Sequence, residues 1–324
     1  MPRSTGSTGD RLMRSNSGVT EIQNPAISVI IASYNTRELL SRCLASIYNA
    51  PPERSCEVLV VDDSSSDGSP EMVRERFPQV RLIVNPRNQG YARSNNHAMA
   101  QSRGRFVYLL NSDTEMYPGA LDHMASFLEE HPDAGAVGSA LYNSDGSVQA
   151  SVKSLPRIRS AFFGKRSWLA RWFPQFSATR SELLNWRVDG GMPFQAGYVS
   201  SASIMMPRDV VERVGDLDVR LWYFIDADYC RRIWDIGRPV YCVPMAKVLH
   251  VEHLGGTLAG WKQRFRSMWR FHYGAFIYFR KHSGWAVWHP VTLLIVLGIA
   301  ARFVLSFCVQ TIKEITGVER EVYG

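Results

Sequence analysis

RFVYLLNSDTEMYPG, Arg105 to Gly119, is the stretch on which the fold turns. An apolar run from Phe106 to Leu110 passes straight into Asn111, Ser112 and Asp113, with Thr114 and Glu115 behind them. Two readings compete. Strands end in turns, and Asn, Ser and Asp are turn formers. Alternatively, Asp113 holds something at the carboxyl edge of a sheet, where open α/β folds bind their ligands. One strand cannot decide between them; several strands ending the same way can.

Working outward, the pattern alternates from residue 27 to 142. ISVIIA (27–32) is a short β-branched run of the kind buried on both faces. Residues 36–48 carry Leu39, Leu40, Leu44 and Ile47 in a helical stripe. EVLVVD (57–62) is a second strand, followed by a helix opened by Ser69 with Pro70 behind it. VRLIVN (80–85) is a third strand, with a helix near 91–101; the opening stretch is the fourth, with a helix near 118–130. GAVGSALY (135–142) is the fifth, and NSDGS (143–147) reads as a hairpin turn. Strands alternating with helices predict an α/β fold with a doubly wound, mainly parallel sheet and helices on both faces. Neither GxGxxG nor GxxxxGK[ST] occurs, which excludes the dinucleotide and P-loop fingerprints.

Order thins between 143 and 200, where 153–176 interleaves basic and aromatic residues. That stretch is either a solvated basic face or a membrane-facing, acceptor-binding loop. From 196, GYVSSASIMMP reads as one strand-like run, RDVVERVG as a helix closed by Gly215, then a helix near 227–236 and a strand at 239–243.

The ends differ from this body. Residues 1–24 are Ser/Thr/Gly-rich with no apolar run, a flexible tail and not a signal peptide, which keeps the body in the cytosol. Five cysteines without a CxxC pair argue against structural zinc or a disulfide framework and fit a reducing compartment. The net charge of +7 calls for an anionic partner. Residues 261–280 mix arginines with Trp, Phe and Tyr, the composition of an interfacial helix. Residues 291–309 form an apolar segment broken only by Arg302, long enough to span a bilayer that needs about 20 residues. The single arginine costs roughly 3 kcal/mol on insertion scales, which the surrounding Leu, Ile, Val and Phe offset. Because the basic-aromatic belt borders that segment, a membrane accounts for both, and nucleic acid is not needed.

Asp113 is not alone at its strand end. Strand one ends at Ser33-Tyr34-Asn35, strand two at Asp62-Asp63, strand four at Asn111-Ser112-Asp113, and a further acid pair stands at Asp226 and Asp228. Several acids and a ring at one sheet edge describe a site for a metal-bound, anionic ligand.

These residues carry a resemblance. SVIIASYN, VLVVDDSSSDGS, NPRNQGYARSNN, YLLNSDTEMYPGAL, RDVVERVGDLD, YFIDADYCRRIWDIG and HLGGT follow, in order over roughly 27–257, the motifs of glycosyltransferase family 2. The chain resembles its inverting, GT-A-fold members, among them the bacterial rhamnosyltransferase-like, membrane-associated ones. The resemblance implies a catalytic domain at 25–257, with a nucleotide-binding half at 25–142 and an acceptor half at 143–257. Residues 258–324 would then associate with the cytoplasmic face of the bacterial inner membrane. It implies that Tyr34 and Asp62 grip the base, with Asp63 beside them, and that Asn88, Gly90, Asn95 and Ser112 belong to the donor site. Asp113, last acid of a DxD motif that here begins with Asn111, would bind Mg2+ or Mn2+, and His253 would complete the metal shell. Asp226 matches the general base of a Glu-Asp pair whose Glu is here Ile225.

The resemblance further implies a nucleotide-sugar donor, best matched by dTDP-rhamnose from the subgroup, and a polyprenyl-linked acceptor. Two alternatives stay open: transfer of a UDP-hexose or GDP-mannose to a lipid phosphate, and a non-catalytic membrane-bound relative. Asp228 is expected to pair with Arg231 or Arg232, and His250 to be a structural histidine.

Overall fold

The computed structural model describes residues 25–156, 183–251, 261–284 and 289–316. The expectations for the 1–24 tail, for most of the 153–176 stretch and for His253 lie outside the described residues.

The first strands are β1 (Ile27–Ser33), β2 (Cys56–Asp62), β3 (Arg81–Val84) and β4 (Phe106–Asn111), with α1 (Arg37–Asn49), α2 (Ser69–Arg76) and α3 (Tyr91–Gln101) between them. Then follow β5 (Thr114–Met116), α4 (Ala120–Glu130), β6 (Ala136–Tyr142) and β7 (Val152–Lys153). Past a 3-10 turn at Asn185–Gly190 come β8 (Phe194–Ala196), β9 (Tyr198–Val199), β10 (Ser203–Pro207), α5 (Arg208–Val214), α6 (Ile225–Asp235) and β11 (Val240–His250). Helices α7 (Trp261–His282) and α8 (Pro290–Thr316) close the chain.

One nine-stranded sheet runs β3-β2-β1-β4-β10-β6-β11-β5, with β8 on the side of β11. Strands β3, β2, β1 and β4 pair in parallel, as do β6 and β11, whereas β10 lies antiparallel between β4 and β6. The sheet is therefore mainly parallel, with reversed strands at β5, β8 and β10.

Alternate residues of the central strands feed opposite faces, as the pleat requires. Val29, Ile31, Val58, Val60, Tyr108 and Leu110 pack under α1, α2 and α4. Ile30, Leu59, Val61, Val107 and Leu109 pack under α3, α5 and α6. Each such side chain contributes about 1.5–3 kcal/mol of burial, so these strands have no wet face. Helix α1 is held by its stripe of Leu40, Cys43, Leu44 and Ile47. A hydroxyl chain from Tyr108 through Ser203 (2.7 Å) to Ser139 (2.6 Å) stitches β4, β10 and β6 across the reversed strand. Burial pushes the Cys43, Cys230 and Cys242 thiols up to about 12, so they stay protonated at neutral pH.

Three sequence expectations change. The run at 196–207 splits into β9 and β10 around a turn in which Ser203 N–H donates to the Ser200 carbonyl, and Asn111 N–H donates to that of Ala202. The strand at 239–243 continues to His250, because Pro244 falls in a register shift between Val243 and Lys247 and does not end the pairing. Third, among the described residues no helix is long and apolar enough to cross a membrane, so a span at 291–309 is not supported, while re-entrant or in-plane contact stays an expectation. Arg302 interrupts that segment and lies 5.9 Å over the Phe271 ring, and Phe303 packs back on Phe265 (5.5 Å) and Trp269 (5.7 Å) of α7. The other face of α8 exposes Leu293, Leu294, Leu297, Val304 and Leu305.

Helix α7 is clamped to α6 by charge. The Asp228 carboxylate, wholly buried, meets Arg232 (3.0 Å), Lys281 (2.8 Å) and His282 (2.8 Å). Burial raises its pKa, but hydrogen bonds from His282 and Lys281 and the Arg232 charge outweigh that and hold it below the usual carboxylate value. Of the two pairings expected for Asp228, Arg232 is the one made; nothing in the sequence pointed to the partners on α7. Replacing Asp228 by Ala would leave two cations, Arg232 and Lys281, and the His282 ring facing a void. The expected loss is about 3–5 kcal/mol, read as a lower urea midpoint.

Candidate active site

Parallel pairing aligns the strand ends. Ser33 of β1 pairs with Asp62 of β2, and Ala32 with Asn111 of β4, so the segments beyond them emerge side by side. The loops after β1 and β2 are laced together: Asn35 N–H donates to Ser65 Oγ (2.9 Å) and Ser66 N–H to Asn35 Oδ1 (2.8 Å). Asn35 (φ 51) and Ser64 (φ 69) take the left-handed conformation to do so. Tyr34, the residue before Asn35, leaves half of its surface open.

Asp62 and Asp63 are adjacent and differently employed. Asp62 is buried, accepts from Ser65 N–H through Oδ1 (2.8 Å), and keeps Oδ2 without a protein partner. A buried carboxylate oxygen with no donor is costly, so Asp62 is arranged to receive one. Asp63 is fully satisfied. Its Oδ1 accepts from the Asn85 side chain (3.0 Å) and Gln89 N–H (2.8 Å), its Oδ2 from Gly90 N–H (2.7 Å). It shapes the loop that carries exposed Asn88 and delivers Gly90 (φ +84) to the start of α3. Asn95 sits inside α3, buried, donating to the Tyr91 carbonyl (2.9 Å), with its own Oδ1 unpaired. Buried Ser112 accepts from Thr36 Oγ1 (3.0 Å), which lies 2.9 Å from Ser33 Oγ and joins the β1 and β4 ends.

Asp113 lies 3.3 Å from Nε2 of His250, the residue read from sequence as structural. Gln149 orients that ring. Its Nε2 donates to the His250 carbonyl (2.8 Å), so its Oε1 faces His250 Nδ1 (2.9 Å), which must carry the hydrogen. Nε2 thereby faces the Asp113 carboxylate, and with its lone pair free it would be an acceptor set against an acceptor. Two acceptors facing each other fit a shared cation, and the separation is that of neighbouring ligands on one ion. Asn111 adds a buried Oδ1 without a protein partner. Among the described residues no three His, Cys, Asp or Glu side chains gather at one point. A site of this kind is completed by phosphate oxygens of a ligand, as Mg2+ sites usually are. The donor set thus fits Mg2+ or Mn2+, with the nitrogen favouring the latter. Sequence spacing could not show that β11 runs past Pro244 to bring His250 beside β5.

Asp226 stands in the first turn of α6, launched by Phe224, whose φ of +66 is strained for a non-glycine. Its Oδ1 accepts from Ala227 N–H (2.9 Å). Desolvation raises its pKa, and the Lys153 ammonium and local backbone N–H groups pull part of that back. Ile225, in the position of the expected Glu, is buried in the core, so Asp226 has no acidic neighbour on that side. The charges of the two distant acids are both felt at Tyr91. Its phenol donates to the Ser201 carbonyl (3.0 Å), and burial, then Asp226 and Asp113, raise its pKa. Asp62 ends β2, which β1 separates from β4.

Comparison with known proteins bears on this site. Residues 28–203 match the family model "Glycosyl transferase family 2". N-acetylglucosaminyl-diphospho-decaprenol L-rhamnosyltransferase of Mycobacterium tuberculosis (strain ATCC 25618 / H37Rv) is 30% identical over 239 residues, 69% of this chain and 75% of the relative. Mannosyltransferase PcManGT from Pyrobaculum calidifontis, solved with GDP-Man and Mn2+, superposes with a TM-score of 0.52 at 19% identity, over 86% of this chain and 74% of that one. GalNAc-T7, solved with UDP, GalNAc and Mn2+, gives 0.53 at 15% identity over 70% of this chain, which spans only 44% of the longer protein. These structural likenesses give the fold, GT-A.

Asp63→Ala would strip the Gln89 and Gly90 amides and the Asn85 side chain of their acceptor. The expected cost is about 1–3 kcal/mol for each buried donor left unpaired. Faster amide exchange at Gln89 and Gly90 would localise the damage to this loop, and unchanged exchange there would refute the role given to Asp63.

Proposed function

The chain belongs to glycosyl transferase family 2, and from that premise we propose that it transfers a sugar, with inversion, from a nucleotide diphosphate to a polyprenyl-diphosphate-linked saccharide. The observation that carries this reading is the buried, unpaired Oδ2 of Asp62 at the same sheet edge where Asp113 faces His250.

The residues divide the work. Tyr34 stacks on the base, and Asp62 Oδ2 accepts the N3–H of a pyrimidine, the donor it lacks within the protein. Asn88 and Gly90 approach the donor from the loop shaped by Asp63, with Asn95 and Ser112 behind the site. Asp113, with His250 and Asn111, holds Mg2+ or Mn2+; His253 belongs to the same proposed shell. The bound ion supplies charge compensation for the diphosphate that leaves. The Asp226 carboxylate takes the proton of the acceptor hydroxyl while that oxygen bonds to the anomeric carbon. The bond from that carbon to the diphosphate breaks, and the electron pair departs with the nucleoside diphosphate. Displacement from the opposite face inverts the anomeric centre. The raised pKa of Asp226 makes it a stronger base than an exposed carboxylate.

The name of the mycobacterial relative supports L-rhamnose as the sugar and a lipid diphosphate as the acceptor; dTDP as the carrier rests on the resemblance of the motifs alone. The exposed leucines of α8 and the arginine-aromatic face of α7 support seating at the cytoplasmic face of the bacterial inner membrane.

A panel of nucleotide sugars, assayed with lipid-linked saccharide with and without Mn2+, tests the transfer. Asp226→Asn should lower kcat by about 100-fold or more and leave donor binding intact; Asp113→Ala should weaken Mn2+-dependent donor binding. Normal turnover by both variants would remove the assignment. Because the base works deprotonated and its pKa is raised, the rate should fall with decreasing pH at a point above about 4, the ordinary carboxylate value. Lys153→Met, which deletes a charge that lowers this pKa, should move that acid limb to higher pH. Separately, Leu294→Glu with Leu297→Glu should reduce co-sedimentation with anionic vesicles; undiminished binding would rule out α8 as the docking face.

A further inference from the structure

The proposed acceptor is a linear molecule: a hydroxyl-bearing sugar, then a diphosphate, then an apolar chain. Asp226 marks one end of its path and the exposed leucines of α8 the other. The elements between them are the 222–225 turn and helix α7. There, the Arg270 guanidinium lies flat on the Trp222 indole, 3.8 Å from the ring centroid. Trp222 precedes Asp226 by one helical turn of sequence and reaches Gly90: a Cβ there would lie 3.5 Å from its Cζ3. The same turn is fixed to α7 by Tyr223 Oη against Ser267 Oγ (2.6 Å) and by Phe224 against Phe271 (5.3 Å). On α7, Phe265 and Trp269, each next to an arginine, pack on Phe303 of α8. Arg266 and Arg270 thus stand between the base and the apolar face.

Beside Arg266, Arg270 lacks, among the described residues, the carboxylate that an arginine pair ordinarily has. Spaced four residues apart on one helix, they repel by a few tenths of a kcal/mol. The influences on Arg270 are burial and the Arg266 charge, both lowering its pKa, and the Tyr223 phenol raising it; no carboxylate is among them. Two adjacent guanidiniums, one pre-oriented on an indole, match the fork geometry by which arginine takes phosphate oxygens.

We propose that Arg266 and Arg270, with Arg270 oriented by Trp222, bind the diphosphate of the lipid-linked acceptor; this rests on the acceptor class proposed above. The site sets the distance from the lipid anchor to Asp226, and so selects which acceptor hydroxyl reaches the base.

The test uses the full-length chain in detergent and farnesyl diphosphate as the probe in calorimetric titration, with farnesol as the phosphate-free control. Arg266→Gln and Arg270→Gln should each weaken farnesyl diphosphate binding about tenfold, the worth of a charged hydrogen bond, and leave farnesol binding unchanged. Arg270→Lys, which keeps the charge, should recover part of the loss at unchanged melting temperature. In turnover, the KM for lipid-linked acceptor should rise in step while the KM for nucleotide sugar stays constant. Displacement of the probe by excess nucleoside diphosphate, or a rise confined to the donor KM, would overturn the assignment in favour of the donor diphosphate. Loss of anionic-vesicle binding with an unchanged acceptor KM would overturn it in favour of bilayer headgroups. Unaltered probe binding in an active enzyme would overturn this site alone, whereas a wild-type chain that binds the probe but glycosylates no lipid-linked acceptor would overturn the acceptor class and this site with it.

Discussion

Strands β1, β2 and β4 are dry on both faces, and the rest of the architecture depends on that. A strand covered by α1, α2 and α4 on one side and α3, α5 and α6 on the other can accept no charge along its length. Uncompensated charge in such a layer costs far more than the fold can spare. Polar chemistry is driven to the ends, and parallel pairing puts those ends together. Asp62 and Asn111, with Asp113 just beyond, therefore lie along one edge, one on each side of β1, although about fifty residues separate the first from the others.

Within that edge the same side chain does five different things, and its partners decide which. Asp63 is satisfied by three N–H donors and acts as a staple. Asp62 keeps one buried oxygen open. Asp113 faces Nε2 of His250. Asp226 is desolvated with a single cation in attendance, which leaves it more basic than usual. Asp228, two residues on, is buried still deeper, but Arg232, Lys281 and a hydrogen bond from His282 hold it ionised, and it serves the packing of α7. Burial alone does not set the outcome; the count of donors and cations around each oxygen does.

Helix α7 belongs to the site as much as to the surface. It grips α6 through Asp228, braces the strained Phe224 turn, and presents Arg270 to Trp222. The first turn of α6, with Asp226 on it, is therefore held from outside the sheet by the same helix that packs on α8.

By itself the sequence determined the alternating strands and helices through residue 142, because dry parallel strands are unbroken apolar runs and their ends are the first places where polar residues return. It also marked Tyr34, Asp62, Asp113 and Asp226, since these stand at such ends or in a recognisable motif. It did not distinguish Asp62 from Asp63, which look alike until the 85–90 loop folds back on one of them. It ended the last strand at Pro244, where a bulge carries the pairing on and brings His250 to Asp113. It gave no sign that Lys281 and His282 reach Asp228 across more than fifty residues. Periodicity records which way a side chain faces along its own element; which groups meet it from another element is decided only when the elements pack.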